Sequence, residues 1–99
     1  MKLRKPQGTE DILPEQMPLW KFVEDTVKDI FGRYGYSEIR TPIMEFCSVF
    51  NHSTGETSDV VEKQMYLLQS RKDEPDDKDA VVLRPELTAP VVRAYLENN

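Results

Sequence analysis

Ninety-nine residues, 38% of them hydrophobic and 31% charged, describe one small globular domain that buries about 60–65% of the surface its unfolded chain exposes. A formal charge of −5 and a pI near 4.8 exclude a chain-wide basic field for nucleic acid. The single cysteine, Cys47, excludes an internal disulfide and cannot hold a metal alone.

The basic start, Met1 to Pro6, leads into no apolar run, and no stretch approaches the ~18 apolar residues of a membrane span. Neither an export signal nor an Arg-rich transit peptide is expected, and a mature organellar protein that has lost its transit peptide is the open alternative. A reducing, cytoplasmic compartment fits the cysteine usage.

Between Pro14 and Gly35, apolar residues fall at Trp20, Val23, Val27, Ile30, Phe31 and Tyr34. These steps of three and four predict one apolar helix face. Pro14 or Pro18 suits the first turn, and Gly35 suits the left-handed position that ends it. Tyr36-Ser-Glu-Ile-Arg-Thr-Pro42-Ile-Met-Glu45 alternates in part and carries β-branched residues, which predicts a strand whose ladder Pro42 limits.

Asn51 to Ser58 is turn and loop chemistry, with no regular element expected. His52 reads there as a solvated residue, and Cys47 as a small buried apolar one. Gln64 to Leu68 and Ala80 to Leu83 are short apolar runs either side of the charged stretch from Arg71 to Asp79. They predict a hairpin with a solvated tip that carries no chemistry. Thr88 then suits the cap of a last helix running through Leu96, with Pro90 in its first turn. Helices and antiparallel strands in this order give an α+β fold, an antiparallel sheet with flanking helices.

Three stretches, in order, resemble the histidyl-tRNA synthetases: Pro6-Gln-Gly-Thr-Glu-Asp-Ile-Leu-Pro14, then Tyr34 to Glu45, then Thr54 to Tyr66 followed by Val82-Leu-Arg-Pro-Glu-Leu-Thr-Ala89. Together they span nearly the whole chain. The second is similar to motif 1 of class II synthetases, which implies a homodimer interface at Tyr36, Ile39 and Pro42. Without the resemblance, Pro42 is an ordinary strand terminator.

The third stretch implies that Glu86 and Thr88 hold the ammonium group of histidine. A carboxylate offers a charge-assisted hydrogen bond to an ammonium, and a hydroxyl adds an acceptor. From spacing alone, Glu86 is a carboxylate favoured by a helix N-terminus. Arg84 lies either near the ATP side of the pocket or in a structural pair with Glu86 or another carboxylate. The structural reading is favoured.

The resemblance implies a class II catalytic domain of which residues 1–99 form the amino-terminal part. Its parent activates histidine with ATP and magnesium and passes it to histidine tRNA. The phosphate-binding arginines of motifs 2 and 3 and the anticodon domain belong beyond Asn99. The polypeptide alone is therefore expected to be inactive, with no catalytic residue or metal ligand of its own. One residue departs from the pattern: Leu87 stands where the family usually has glycine. A larger residue there is more like the regulatory subunit of ATP phosphoribosyltransferase, a paralogue of the same fold without aminoacylation. Gly55 to Tyr66 is closer to the synthetase pattern. From another class, the alternative is a stand-alone dimerisation module.

Overall fold

The computed structural model describes residues 1–54, 65–68 and 80–99. They fall into two compact units, residues 1–38 and 39–99.

In the first unit, the amide of Thr9 donates to the carbonyl of Pro6 at 3.2 Å, closing a turn. Gly8 takes φ 83° at its third position, where a side chain would be strained. Gln16 then reaches back to accept from the amide of Leu13 at 3.0 Å, while its own amide donates to the Leu13 carbonyl at 2.9 Å. This reciprocal pair covers amides that the following helix leaves open.

Helix α1 runs Met17–Arg33 with Pro18 in its first turn. Pro14 lies in the turn ahead of it, so the later of the two prolines starts the helix. The end is fixed by chain geometry: Gly35 adopts φ 83°, its amide bonds to Gly32, and the Tyr36 amide bonds to Phe31 at 3.0 Å. That pair of bonds is a Schellman closure. Its apolar contact is the edge-to-face stacking of Phe31 on Tyr36, with centroids 5.6 Å apart.

The second unit contains β1 (Met44–Phe46), α2 (Cys47–Thr54), β2 (Val81–Leu83) and α3 (Thr88–Glu97). Strands β1 and β2 pair antiparallel, Met44 with Leu83, Glu45 with Val82 and Phe46 with Val81. On its other side β2 meets residues 66–68. Leu83 donates to Tyr66 at 3.0 Å and Leu68 donates to Val81 at 2.9 Å, around an antiparallel bridge between Leu67 and Val82. Val82 is fully buried because it is covered from both edges. The pairing expected of the hairpin between 64–68 and 80–83 is present over 66–68 and 81–83; its tip, 71–79, lies outside the described residues.

Three expectations change. The strand expected over 36–45 contracts to β1: Pro42 has no amide to donate, and the carbonyls of Thr41 and Pro42 accept from the Arg84 side chain rather than from a neighbouring strand. Residues 51–54, expected as loop, belong to α2. Cys47 and Phe50 stand three apart and both bury, Phe50 to 1% exposure, so one helical turn puts them on a single face. That burial outweighs the turn preference of the polar residues that follow. Residues 55–58 and the side chain of His52 lie outside the described residues.

The third change is at α3. Thr88 opens the helix instead of capping it, and Leu87 in the cap position offers no side-chain acceptor. The core gathers Cys47, Phe50, Met65, Val82 and Ala89, with Val49 packed against it. Cys47 is buried, as its apolar character implied. The result is α+β, an antiparallel sheet with helices packed beside it.

Candidate functional site

Of the residues singled out from sequence, Arg84, Glu86 and Thr88 lie at the junction between β2 and α3, and Pro42 is brought to it by Arg84. Strand β2 ends at Leu83, and Arg84-Pro85-Glu86-Leu87 carries the chain into α3. Pro85 cannot donate to a sheet, and the first amides of α3 need acceptors that Leu87 cannot give. Glu86 supplies them. Its Oε2 accepts from the Thr88 amide at 2.5 Å and its Oε1 from the Ala89 amide at 3.0 Å. The carboxylate therefore sits at the positive end of the helix, where the dipole favours it.

A carboxylate has about four acceptor positions, and the two amides use two of them. Glu86 and Thr88 are both exposed, so the remaining positions on Glu86 and the Thr88 side chain face solvent. The helix-terminus reading and the ligand reading of Glu86 are thus compatible in one geometry.

Arg84 is half-buried and structural in its contacts. Its Nη1 donates to the Thr41 carbonyl at 2.7 Å, to Thr41 Oγ1 at 3.1 Å and to the Pro42 carbonyl at 3.3 Å. The partners are carbonyls and a hydroxyl, not the carboxylate expected from sequence. A guanidinium fork suits this because one planar nitrogen can serve several acceptors. Its backbone amide also donates to Ile43 at 3.0 Å. Arg84 thereby ties the segment around Pro42 to the turn that carries Glu86.

Beside this turn lies an open groove of about 530 Å³ lined by Ile43, Tyr66, Leu83, Arg84 and Pro85. Its walls are apolar apart from Arg84, whose Nη1 is bonded to Thr41 and Pro42. Ile43, Tyr66 and Leu83 were not singled out in the sequence, where they read as ordinary strand residues. Among the expected interface residues, Tyr36, Ile39 and Pro42 are all exposed. Pro42 is brought to Arg84; Tyr36 belongs to the first unit. Among the described residues no group of three His, Cys, Asp or Glu side chains is placed to hold a metal ion, and no helix is long and apolar enough to cross a membrane.

Sequence reasoning also missed the ion pair behind α3. Arg93 Nε lies 3.0 Å from Oε2 of Glu45, and Arg93 Nη1 lies 2.5 Å from Oε2 of Glu97. Glu45 is 7% exposed. Its hydrogen bond holds the Arg93 guanidinium above the ordinary arginine range, against an opposing effect of burial and with help from Glu97. The available signal was a lone acid inside the apolar run Ile43 to Cys47.

The chain is similar to known proteins over nearly its whole length. A histidine–tRNA ligase of Streptococcus pneumoniae is 50% identical over 98 residues, which is 99% of this chain and 22% of that protein. The chain therefore spans about a fifth of the length of the curated relatives it matches. The crystal structure of apo histidyl-tRNA synthetase from S. aureus superposes with a TM-score of 0.68 at 33% identity, over 99% of this chain and 22% of that one. A Bacillus halodurans C protein described as an ATP phosphoribosyltransferase regulatory subunit/histidyl-tRNA synthetase superposes at 0.75 with 26% identity, over 99% and 24%. The histidyl-tRNA synthetase family model matches residues 8–98, and with the Arg84-to-Thr88 turn built as it is, the chain belongs to the histidyl-tRNA synthetase family.

Proposed function

We propose that this chain is the amino-terminal part of the catalytic domain of a histidine–tRNA ligase, and that Glu86 and Thr88 orient the ammonium group of histidine beside the groove lined by Tyr66 and Arg84. The observation that carries the reading is the Glu86 carboxylate. Two helix amides fix its position and leave acceptor capacity facing solvent, in a chain matched to the family over residues 8–98.

In the reaction, a histidine carboxylate oxygen attacks the α-phosphorus of ATP, the bond to pyrophosphate breaks, and histidyl-adenylate forms. A terminal ribose hydroxyl of histidine tRNA then attacks the activated carbonyl and AMP leaves. The residues here contribute orientation: holding the ammonium fixes where the carboxylate points, and such positioning lowers the entropic part of the barrier. Charge developing on phosphate oxygens needs cationic donors. Arg84 has its Nη1 engaged by Thr41 and Pro42, and we assign the main phosphate donors to other parts of the protein. Among the described residues no three His, Cys, Asp or Glu side chains gather to hold a metal ion, and the magnesium that accompanies ATP belongs with the rest of the catalytic domain. Exposed Tyr36, Ile39 and Pro42 support a homodimer through motif 1, and the cytoplasm is the compartment where the reaction serves translation.

A second reading, the regulatory subunit of ATP phosphoribosyltransferase, is favoured by Leu87 and by the likeness to the Bacillus halodurans C protein. A stand-alone dimerisation module is the third. The full-length protein decides. Histidine-dependent exchange of pyrophosphate into ATP and charging of histidine tRNA support the ligase. Neither activity, together with no Phe-Arg-x-Glu segment beyond Asn99, overturns it in favour of the regulatory subunit, and a stop codon after Asn99 favours the module.

A further inference from the structure

Glu45 is the one buried polar or charged side chain among the described residues, and burying a carboxyl group is costly unless it is paired. Its partner, Arg93, projects from α3 about a turn and a half beyond Thr88, roughly 7.5 Å along the axis. Ala89 and Pro90 bury at the start of the same helix. Those contacts turn the first residues of the helix inward, and Arg93, further along, adds a directional contact.

The ion pair is directional. Glu45 pairs in register with Val82, β2 continues within four residues to Glu86, Glu86 holds the first amides of α3, and α3 returns to Glu45 through Arg93. The path is a closed ring. Turning α3 by one residue, 100°, would break it at Arg93 and carry Thr88 and Ala89 away from the Glu86 oxygens. Buried ion pairs are often matched or exceeded in stability by apolar residues of similar size, so stability alone does not account for an acid at position 45.

We propose that Glu45 and Arg93 are positioning residues: their ion pair sets the rotation of α3 and thereby the place of the Glu86 carboxylate. The consequence for catalysis rests on the reading of Glu86 as a histidine ligand. The test uses the full-length protein with the variants E45Q, R93K and E45L/R93M, the last replacing both charges with apolar side chains. Three quantities are read: melting temperature, hydrogen exchange at the Thr88 and Ala89 amides, and pyrophosphate-exchange kinetics for histidine and ATP.

E45L/R93M is expected to melt close to wild type, to exchange the two amides faster, and to lose about 10–100-fold in kcat/KM for histidine, the scale of a misplaced orienting group. KM for ATP stays near wild type. R93K keeps the charge without the fixed fork and is expected to fall between, and it carries the test if the double variant does not fold. Wild-type amide exchange and histidine kinetics in variants lacking the pair overturn the proposal. Faster exchange with unchanged histidine kinetics upholds the positioning of α3 and overturns the assignment of Glu86 to histidine.

Discussion

Replacing Glu86 separates its two roles, because they differ in size and in readout. The carboxylate accepts from the Thr88 amide at 2.5 Å and from the Ala89 amide at 3.0 Å. Thr88 is exposed while Ala89 is buried, so the first amide can turn to water and the second cannot. In Glu86→Ala both bonds go, along with the charge at the helix N-terminus. Helix caps contribute about 0.5–2 kcal/mol and a charge at the dipole about 0.3–1 kcal/mol, so a loss of about 1–2 kcal/mol of stability is expected. Glu86→Gln keeps one oxygen, which can stay on the Ala89 amide, and should cost roughly half as much.

Histidine use responds differently. Glutamine has no anion to offer an ammonium, and a hydrogen bond to a charged group is worth about 1.5–3 kcal/mol. That converts to about a 10–150-fold fall in kcat/KM for histidine, with ATP affected less. The assays are thermal or denaturant melts of the full-length protein and pyrophosphate exchange with each substrate varied. A Glu86→Gln protein that melts slightly early but keeps wild-type KM and turnover for histidine would reduce Glu86 to a helix cap and remove it from the site.

Arg84→Met removes the bonds from Nη1 to Thr41 and Pro42 and should destabilise by about 1.5–3 kcal/mol; an unchanged denaturation midpoint would show that the clamp is dispensable. Phe50→Ala empties the centre of the core, where Phe50 is 1% exposed, and should cost about 3–5 kcal/mol; a loss under 1 kcal/mol by denaturant titration would contradict that packing. The isolated 99-residue chain should form no histidyl-adenylate, and histidine-dependent pyrophosphate exchange above background would refute this. The same chain should self-associate, because the apolar side chains of α1 from Trp20 to Phe31 stand exposed and motif 1 implies an isologous contact. A strictly monomeric species in sedimentation at tens of micromolar would count against the interface residues.

The elements legible in the sequence were those governed by local rules. Apolar spacing found α1, and Gly35 marked its end because the Schellman closure needs a left-handed residue there. The two short apolar runs around the charged stretch pair as expected, through Val81 to Leu83. What escaped depended on contacts distant in sequence. Residues 36–42 alternate like a strand, but Arg84, more than forty positions away, takes the carbonyls of Thr41 and Pro42. Residues 51–54 have loop chemistry, but the burial of Phe50 between β2 and α3 carries a helix through them. Site residues followed the same division. Arg84, Glu86 and Thr88 were recognisable as a motif, whereas Arg84's true partners, the ion pair of Glu45 with Arg93 and the groove side chains Ile43, Tyr66 and Leu83 exist only once the strands have paired.

Leu87 shows where local reasoning stops being informative about function. Glycine at this point of the family motif suggests a backbone conformation closed to other residues, in which case leucine would distort the turn and with it Glu86. The observed torsions are φ −111° and ψ −15°, within the range that any L residue adopts. Leu87 therefore costs the backbone nothing, and its side chain is 54% exposed. The amides of Thr88 and Ala89 meet Glu86 regardless. Leu87 thus departs from the motif in side-chain bulk and not in the shape of the turn. On the proposed function the two paralogous groups part at the cationic side chains that face the phosphates of ATP, and Arg84 already has its Nη1 engaged by Thr41 and Pro42.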